Sequence, residues 1–140
     1  MAAAADDRHQ IIERLNLLAS LLDHREWDRL GEVMTADVVA YDEVGIDAVR
    51  ANKLRALLGG CGPSQHLLGN YQIEVDGDEA RSVCRIRVYH EGAGQRAHLF
   101  FEVFGEYHDT WVRTADGWRM ATRRMDTTIA LGDFETLQPG

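Results

Sequence analysis

The pattern of apolar and polar positions divides the chain into a helical first part and an extended second part. Across residues 6–58, apolar side chains recur at spacings of three and four, which indicates amphipathic helices. Aspartates precede the first helix, and Asp47 precedes the third, which ends at the Gly59-Gly60 pair. A shorter second helix contains Trp27, and a short strand is predicted over residues 38–41.

From Ser64 onward the sequence alternates with the two-residue period of half-buried strands, and four long antiparallel strands are predicted. The predicted ranges are 64–75, 80–90, 97–113 and 118–129. Asp76-Gly77 is a typical two-residue hairpin turn, and Gly105 indicates a bulge or bend. Since alternate residues of a flat strand share a face, we expect Asn70 to point the same way as His66. By the same rule, Arg124 faces the side of Trp118.

Three helices followed by four strands predict an α+β fold. We expect one domain over residues 1–140, with loose ends at about 1–6 and 132–140. A strongly curved, mostly antiparallel sheet wrapped around the helices forms a cone, and the mouth of a cone is a natural ligand site. A chain of 140 residues is long enough for both a core and a cavity.

Composition and charge narrow the possible partners. The net charge of −8 argues against a nucleic acid partner. No apolar run is long enough to span a membrane, and residues 1–5 lack the features of a signal peptide. The sequence therefore predicts a cytoplasmic protein in which Cys61 and Cys84 are free thiols.

The candidate chemistry centres on two histidines in otherwise apolar strands. His66 lies in the extended run Gln65–Asn70, and His90 ends the next strand. We expect both imidazoles to face one pocket, where a histidine can accept and return a proton near neutral pH. The alternative for His66 is a buried ring bonded to a backbone carbonyl, and for His90 it is a solvated position at the rim.

Four further residues are candidates for the same pocket. Asp23 can orient a histidine, or instead pair with Arg25 or cap the helix that begins at Glu26. Tyr41 and Asn70 can donate hydrogen bonds to a substrate oxygen, although Tyr41 also suits the core and Asn70 also suits a bulge. Arg124 can bind substrate or form a structural salt bridge with Asp126.

A row of titratable residues on the predicted third long strand has spacing that a metal site also uses. The row consists of His98, Glu102, Glu106 and His108. Because phenylalanines alternate with these residues, we interpret the row as an outer or oligomer-facing surface and expect no metal site.

Several motifs in order along the chain resemble a known family. They are Asp23 with Trp27-Asp28, Ala36–Val39, Gln65–Asn70, Gly77–Ala80, Gly105–Asp109 and Asp116–Met120. This order resembles a SnoaL-like domain of the nuclear-transport-factor-2 superfamily, from about Asp7 to Leu131. The Gln65–Asn70 stretch is the more specific match and resembles the branch of scytalone dehydratase, bile-acid dehydratases and polyketide-tailoring proteins.

The resemblance implies a conical α+β barrel with one deep pocket, and a homodimer or trimer. It also implies acid/base chemistry without a metal or organic cofactor on a small hydrophobic oxygenated molecule, polyketide- or steroid-like. Dehydration, enol-type isomerisation and cyclisation are the expected reactions. By position, His66 matches the strand histidine of the dehydratases, His90 lies near where they carry a second histidine or an aspartate, and Asp23 matches their helix-end aspartate.

The sequence departs from that pattern in two places. Leu18 stands where the dehydratases carry a tyrosine, and Tyr41 on the first strand is a candidate to supply a phenol instead, although it matches their pattern less well. Arg85, Arg87 and Tyr89 do not reproduce the Asp-Arg-Asp set of the epoxide hydrolases, so that reaction is not expected. The alternative to an enzyme is a non-catalytic protein of the same fold that binds small molecules or assembles with other subunits.

Overall fold

The helical part matches its prediction in number of segments but not in regularity. The computed structural model describes residues 2–140. Helix α1 is Ala2–Asp23, and Trp27–Glu32 forms a 3₁₀-helix. The third segment, which we call the composite helix, consists of α2 (Ile46–Ala48), a π-helical stretch (Val49–Arg55) and α3 (Ala56–Leu58).

Six strands form one open sheet. They are β1 (Met34–Ala40), β2 (Glu43–Val44), β3 (Ser64–Asp76), β4 (Glu79–Glu91), β5 (Phe100–Thr114) and β6 (Gly117–Gly132). The order across the sheet is β2-β1-β6-β5-β4-β3. Among the described strands, only the β1–β6 pairing is parallel, and the composite helix with the β3–β5 meander forms the long connection that a parallel pair needs. Strand β2 was not predicted, and the sheet keeps two edges instead of closing.

The inner face of the sheet and the helices enclose the core. Helix α1 packs against β3 and β6, with its apolar row buried. Trp111 and Trp118 are fully buried on β5 and β6. Asp7 joins these layers, because its carboxylate accepts a hydrogen bond from the Trp118 indole at 3.0 Å and two from Arg113. The helix is thereby fixed against the hairpin that closes at Gly117.

Bulges reverse the direction of two predicted side chains. On β3 the register with β4 shifts between Gly69 and Gln72, and Asn70 adopts a left-handed conformation with φ 52°. On β6 the register with β5 shifts between Met120, which pairs with Trp111, and Thr122, which pairs with Thr110. An extra residue in one strand moves all following side chains to the other face. The expected inward directions of Asn70 and Arg124 were therefore wrong.

The C-terminal segment is held in place rather than loose. A short 3₁₀-helix, Phe134–Thr136, follows β6, and Thr136 is completely buried. The Gln138 backbone donates to the Leu57 carbonyl and accepts from the Gly60 N–H. The segment thus closes over the end of the composite helix, a long-range contact that local sequence does not reveal. In the described part of the chain, no helix is long and apolar enough to cross a membrane.

Candidate active site

The central feature of the site is a hydrogen-bonded pair formed by His66 and Asp23. Helix α1 ends at Asp23 and strand β3 begins two residues before His66, so both side chains sit at element ends. The His66 Nδ1 lies 2.6 Å from Asp23 Oδ1, and the His66 backbone N–H donates to Asp23 Oδ2 at 2.9 Å. Because an ionised carboxylate only accepts hydrogen bonds, Nδ1 carries the proton. The Nε2 atom is then the basic nitrogen.

Two further residues hold this pair in place. The Ser64 hydroxyl donates to Asp23 Oδ1 at 2.9 Å. Arg25 in turn donates to Ser64 Oγ, to the Leu22 carbonyl and to the Gly62 carbonyl. Arg25 has a left-handed backbone with φ 57°, a conformation that non-glycine residues retain only when their surroundings hold them there. The side chain of Arg25 therefore links the helix end to the start of β3 without pairing with the Asp23 carboxylate.

Asp23 is ionised in this arrangement. Partial burial acts to raise the pKa of its carboxyl group, but the hydrogen bonds from the His66 ring and backbone, with that from Ser64, outweigh burial. The pKa of Asp23 is lowered as a result. A carboxylate facing the Nδ1–H of a histidine fixes the tautomer and stabilises the imidazolium that forms when Nε2 takes a proton.

His90 lies beside His66 but differs in its protonation. The two ring centroids are 6.0 Å apart and the rings are nearly perpendicular. Nδ1 of His90 donates to the Phe101 carbonyl at 2.9 Å, since a carbonyl can only accept. Burial lowers the pKa of His90 to about 4. At neutral pH, His90 therefore presents an unprotonated Nε2, which accepts hydrogen bonds and does not supply a proton.

Both histidines line one cavity of about 260 Å³. Its wall is largely apolar, and the residues that form it come from α1, the composite helix, β3 to β6 and the C-terminal segment. The apolar lining comprises Leu22, Leu54, Leu57, Leu58, Val88, Phe101, Val103, Met125, Phe134 and Leu137. The volume is close to the lower end of the usual range for ligand pockets, roughly 300–1,000 Å³. A wider groove of about 920 Å³ shares several lining residues with it, including Tyr41 and Lys53.

Tyr41 and Tyr107 bring two phenols to the cavity. Tyr41 has a left-handed backbone with φ 53° just beyond β1, and its hydroxyl oxygen accepts from Arg123 at 3.4 Å. The Tyr41 proton is consequently available to a ligand. Burial raises the pKa of Tyr107 well above its ordinary value, so its phenol stays protonated.

A buried ion pair supports these tyrosines. Arg123 donates two hydrogen bonds to Asp109, at 2.8 and 2.9 Å, and its guanidinium stacks 3.6 Å from the centre of the Tyr107 ring. Burial lowers the pKa of Arg123, but attraction to Asp109 reverses this and raises it well above the usual value. Arg123 therefore remains a cation, and its contact polarises the Tyr41 hydroxyl.

The structure brings together four of the six nominated residues: His66, His90, Asp23 and Tyr41. It does not bring Asn70 or Arg124 to the cavity. Asn70 is exposed in the β3 bulge, and Arg124 pairs with Asp126 on the outer side of β6. The interpretation of the charged row as an outer surface holds for its β5 members: Glu102 pairs with Arg87 and Glu106 with Arg85.

Sequence reasoning missed Ser64, Arg25, Tyr107 and the Arg123–Asp109 pair as parts of the site. A signal existed for one of them. Asp109 alternates with Tyr107 and Trp111, and an aspartate on a buried strand face requires a partner. Arg123 carried no such signal, since its direction depends on a bulge.

Comparison with known proteins identifies the family to which the chain belongs. Residues 3–124 match the SnoaL-like domain family. Protein Rv2910c of Mycobacterium tuberculosis (strain H37Rv) is 35% identical over 132 residues, which cover 89% of this chain and 87% of that protein. The chain is therefore a member of the SnoaL-like domain family, within the NTF2-like superfamily.

Solved structures confirm the fold. A candidate scytalone dehydratase from Novosphingobium aromaticivorans superposes with a TM-score of 0.83 at 20% identity, covering 94% of this chain and 91% of that one. An NTF2-like protein with a cystatin-like fold from the same species gives a TM-score of 0.71 at 25% identity, with 89% and 83% covered. The predicted NTF2-like α+β architecture is thus confirmed, with an open sheet.

Proposed function

We propose that this protein is an acid/base enzyme that eliminates water from, or isomerises or cyclises, a small hydrophobic oxygenated molecule. The observation that carries the proposal is the Asp23–His66 pair opening on an apolar cavity. The candidate dehydratase among the structural relatives supports the proposal of an enzyme that eliminates water. No metal or organic cofactor enters the scheme, and the expected homo-oligomer stays a prediction.

In the proposed reaction His66 is the base. Its Nε2 takes a proton from a carbon next to a carbonyl, while Asp23 stabilises the resulting imidazolium. Tyr41 donates its hydroxyl proton as a hydrogen bond to the carbonyl oxygen, where negative charge develops. Arg123 prepares Tyr41 for this task by donating to the phenol oxygen.

The second half of a dehydration follows from the protonation of the two histidines. His90 has no proton on Nε2 at neutral pH, so the proton for the leaving hydroxide comes from the His66 imidazolium. The C–H and C–O bonds break, the carbon–carbon double bond forms, and water departs with the proton that His66 first took. His90 accepts a hydrogen bond from a substrate hydroxyl. His66 therefore performs both proton transfers, and His90 serves as a hydrogen-bond acceptor.

Proton abstraction can be tested without knowing the natural substrate. We expect the protein to accelerate exchange of the α-protons of 4-phenylbutan-2-one in D₂O, followed by NMR. A His66→Gln variant should lose roughly 10²–10⁴-fold of the catalysed rate, the usual contribution of a positioned base. His98→Gln, at an exposed loop histidine, is the matched control and should keep the rate.

Two results would count against the enzyme. If folded His66→Gln exchanges protons as fast as the unchanged protein, His66 is not the base. If the unchanged protein accelerates neither this exchange nor dehydration of 4-hydroxy-4-phenylbutan-2-one, the non-catalytic alternative is favoured. One observation already supports that alternative: Leu18, where the resemblance expects a tyrosine, is fully buried in the core.

A further inference from the structure

Lys53 is the only lysine in the chain, and it lines the cavity that contains both histidines. Its position depends on the π-helical stretch. Buried Val49 and Leu54 are five residues apart, one more than a regular α-helix places on the same face. The wider turn puts Leu54 in the core and leaves Lys53 and Leu57, four residues apart, along the cavity wall. π-Helical turns occur frequently at functional sites.

The charges around Lys53 are unbalanced. Among the residues that the structure describes, no carboxylate lines this cavity, because Asp23 lies behind His66 and Asp109 forms a salt bridge with Arg123. Within residues 2–140, Lys53 takes part in no ion pair, whereas Arg50 on the same helix pairs with Asp47 at 2.7 Å. Lys53 also borders the wider groove that Asp42 and Glu74 line, but Glu74 pairs there with Arg81 at 3.0 Å, and in the described part of the chain neither carboxylate forms an ion pair with Lys53.

We propose that Lys53 recognises an anionic group on the ligand, a carboxylate being the simplest, while the rest of the ligand is apolar. An ammonium at a mostly apolar wall gains most from an opposite charge that enters with the ligand, since water competes less there than at an open surface. The inference rests on the proposed function for the statement that this ligand is the substrate. As a statement about binding, it stands on the cavity alone.

The test compares two probes of nearly equal shape, 2-naphthoic acid and its neutral amide, 2-naphthamide. Titration calorimetry at neutral pH measures both dissociation constants. We expect the acid to bind about tenfold more tightly, the size of one charge-assisted hydrogen bond. Lys53→Gln should remove the preference and Lys53→Arg should retain it. Arg55→Gln, which removes an equal charge from an exposed position on the same helix, should retain it as well.

Three outcomes would overturn the inference: equal affinity for acid and amide, a preference that survives in folded Lys53→Gln, or no saturable binding of either probe. Equilibrium binding needs no turnover. Loss of the acid preference therefore leaves the proton-exchange test of His66 unaffected, and failure of that test leaves this result unaffected.

Discussion

The pH dependence of stability provides a direct test of the state of His90. The residue is 5% exposed, and burial lowers the pKa of its imidazole from 6.5 to about 4. Between these two values the unfolded chain binds a proton at this position and the folded chain does not. Folding stability therefore falls as the pH drops through this window.

The magnitude follows from the two pKa values. Because folding stability is linked to proton binding, the contribution of His90 to the unfolding free energy is about 2 kcal/mol smaller at pH 5 than at pH 7. The loss levels off at about 3 kcal/mol below pH 4, where the folded protein also binds the proton.

The measurement is urea unfolding at half-unit steps from pH 7 to pH 5, followed by the fluorescence of the three buried tryptophans. Carboxylates and other histidines titrate as well, so the informative quantity is the difference from a His90→Asn variant. The asparagine amide can donate to the Phe101 carbonyl as His90 Nδ1 does, but it does not titrate. His98→Asn, in an exposed loop, is the control and should follow the unchanged protein.

Between pH 7 and pH 5, the unfolding free energy of the unchanged protein should fall by about 2 kcal/mol more than that of His90→Asn. Parallel curves would refute the reasoning. They would mean that water reaches the His90 ring and that it titrates normally. His90 could then donate a proton from Nε2, and the assignment of both proton transfers to His66 would lose its basis.

Two more predictions concern packing and buried charge. A methyl group at Gly105 would collide with the Asp126 carbonyl on the neighbouring strand, so Gly105→Ala should lower the unfolding free energy by about 1–3 kcal/mol. A methyl group at Gly69 meets nothing within 4 Å, so Gly69→Ala should lower it little. Thermal unfolding of both variants measures the two losses, and equal losses would contradict this prediction. Arg123→Met leaves the Asp109 carboxylate buried and unpaired, which should lower the unfolding free energy measured with urea by about 3–5 kcal/mol. Adding Asp109→Leu should recover much of that loss. If the double variant is as unstable as the single one, the charge of Asp109 is not the cause.

Element type and order were largely predictable from sequence. The strand alternation in 80–90 gave the inward face of β4 correctly, including His90, because an uninterrupted strand preserves its two-residue period. Asp23 and His66 were nominated from different parts of the chain, and the structure joins them. The end of a helix and the start of a strand are positions that sequence marks well, through Asp23-His24-Arg25 and Gly62-Pro63.

Side-chain direction beyond a bulge was not predictable. Arg124 was nominated and Arg123 faces inward, a difference of one residue that follows from the register shift near Trp111. The role of Lys53 depends in the same way on one extra residue within a helical turn. Packing against the rest of the fold decides where such an extra residue is inserted. Local propensity is nearly the same for neighbouring positions of the insertion, so the sequence does not reveal which one is used.

The Asp23–His66 pair is positioned by backbone as much as by side chains. Asp23 accepts from both the ring and the backbone N–H of His66, so any shift of strand β3 would move both donors together. Arg25 fixes the same strand to the helix end through the Gly62 carbonyl and Ser64. The helix end is itself anchored by Leu21 and Leu22, which are almost fully buried. For the proposed function this matters because a base held from both sides needs little reorganisation when it takes a proton, and such preorganisation favours acid/base catalysis.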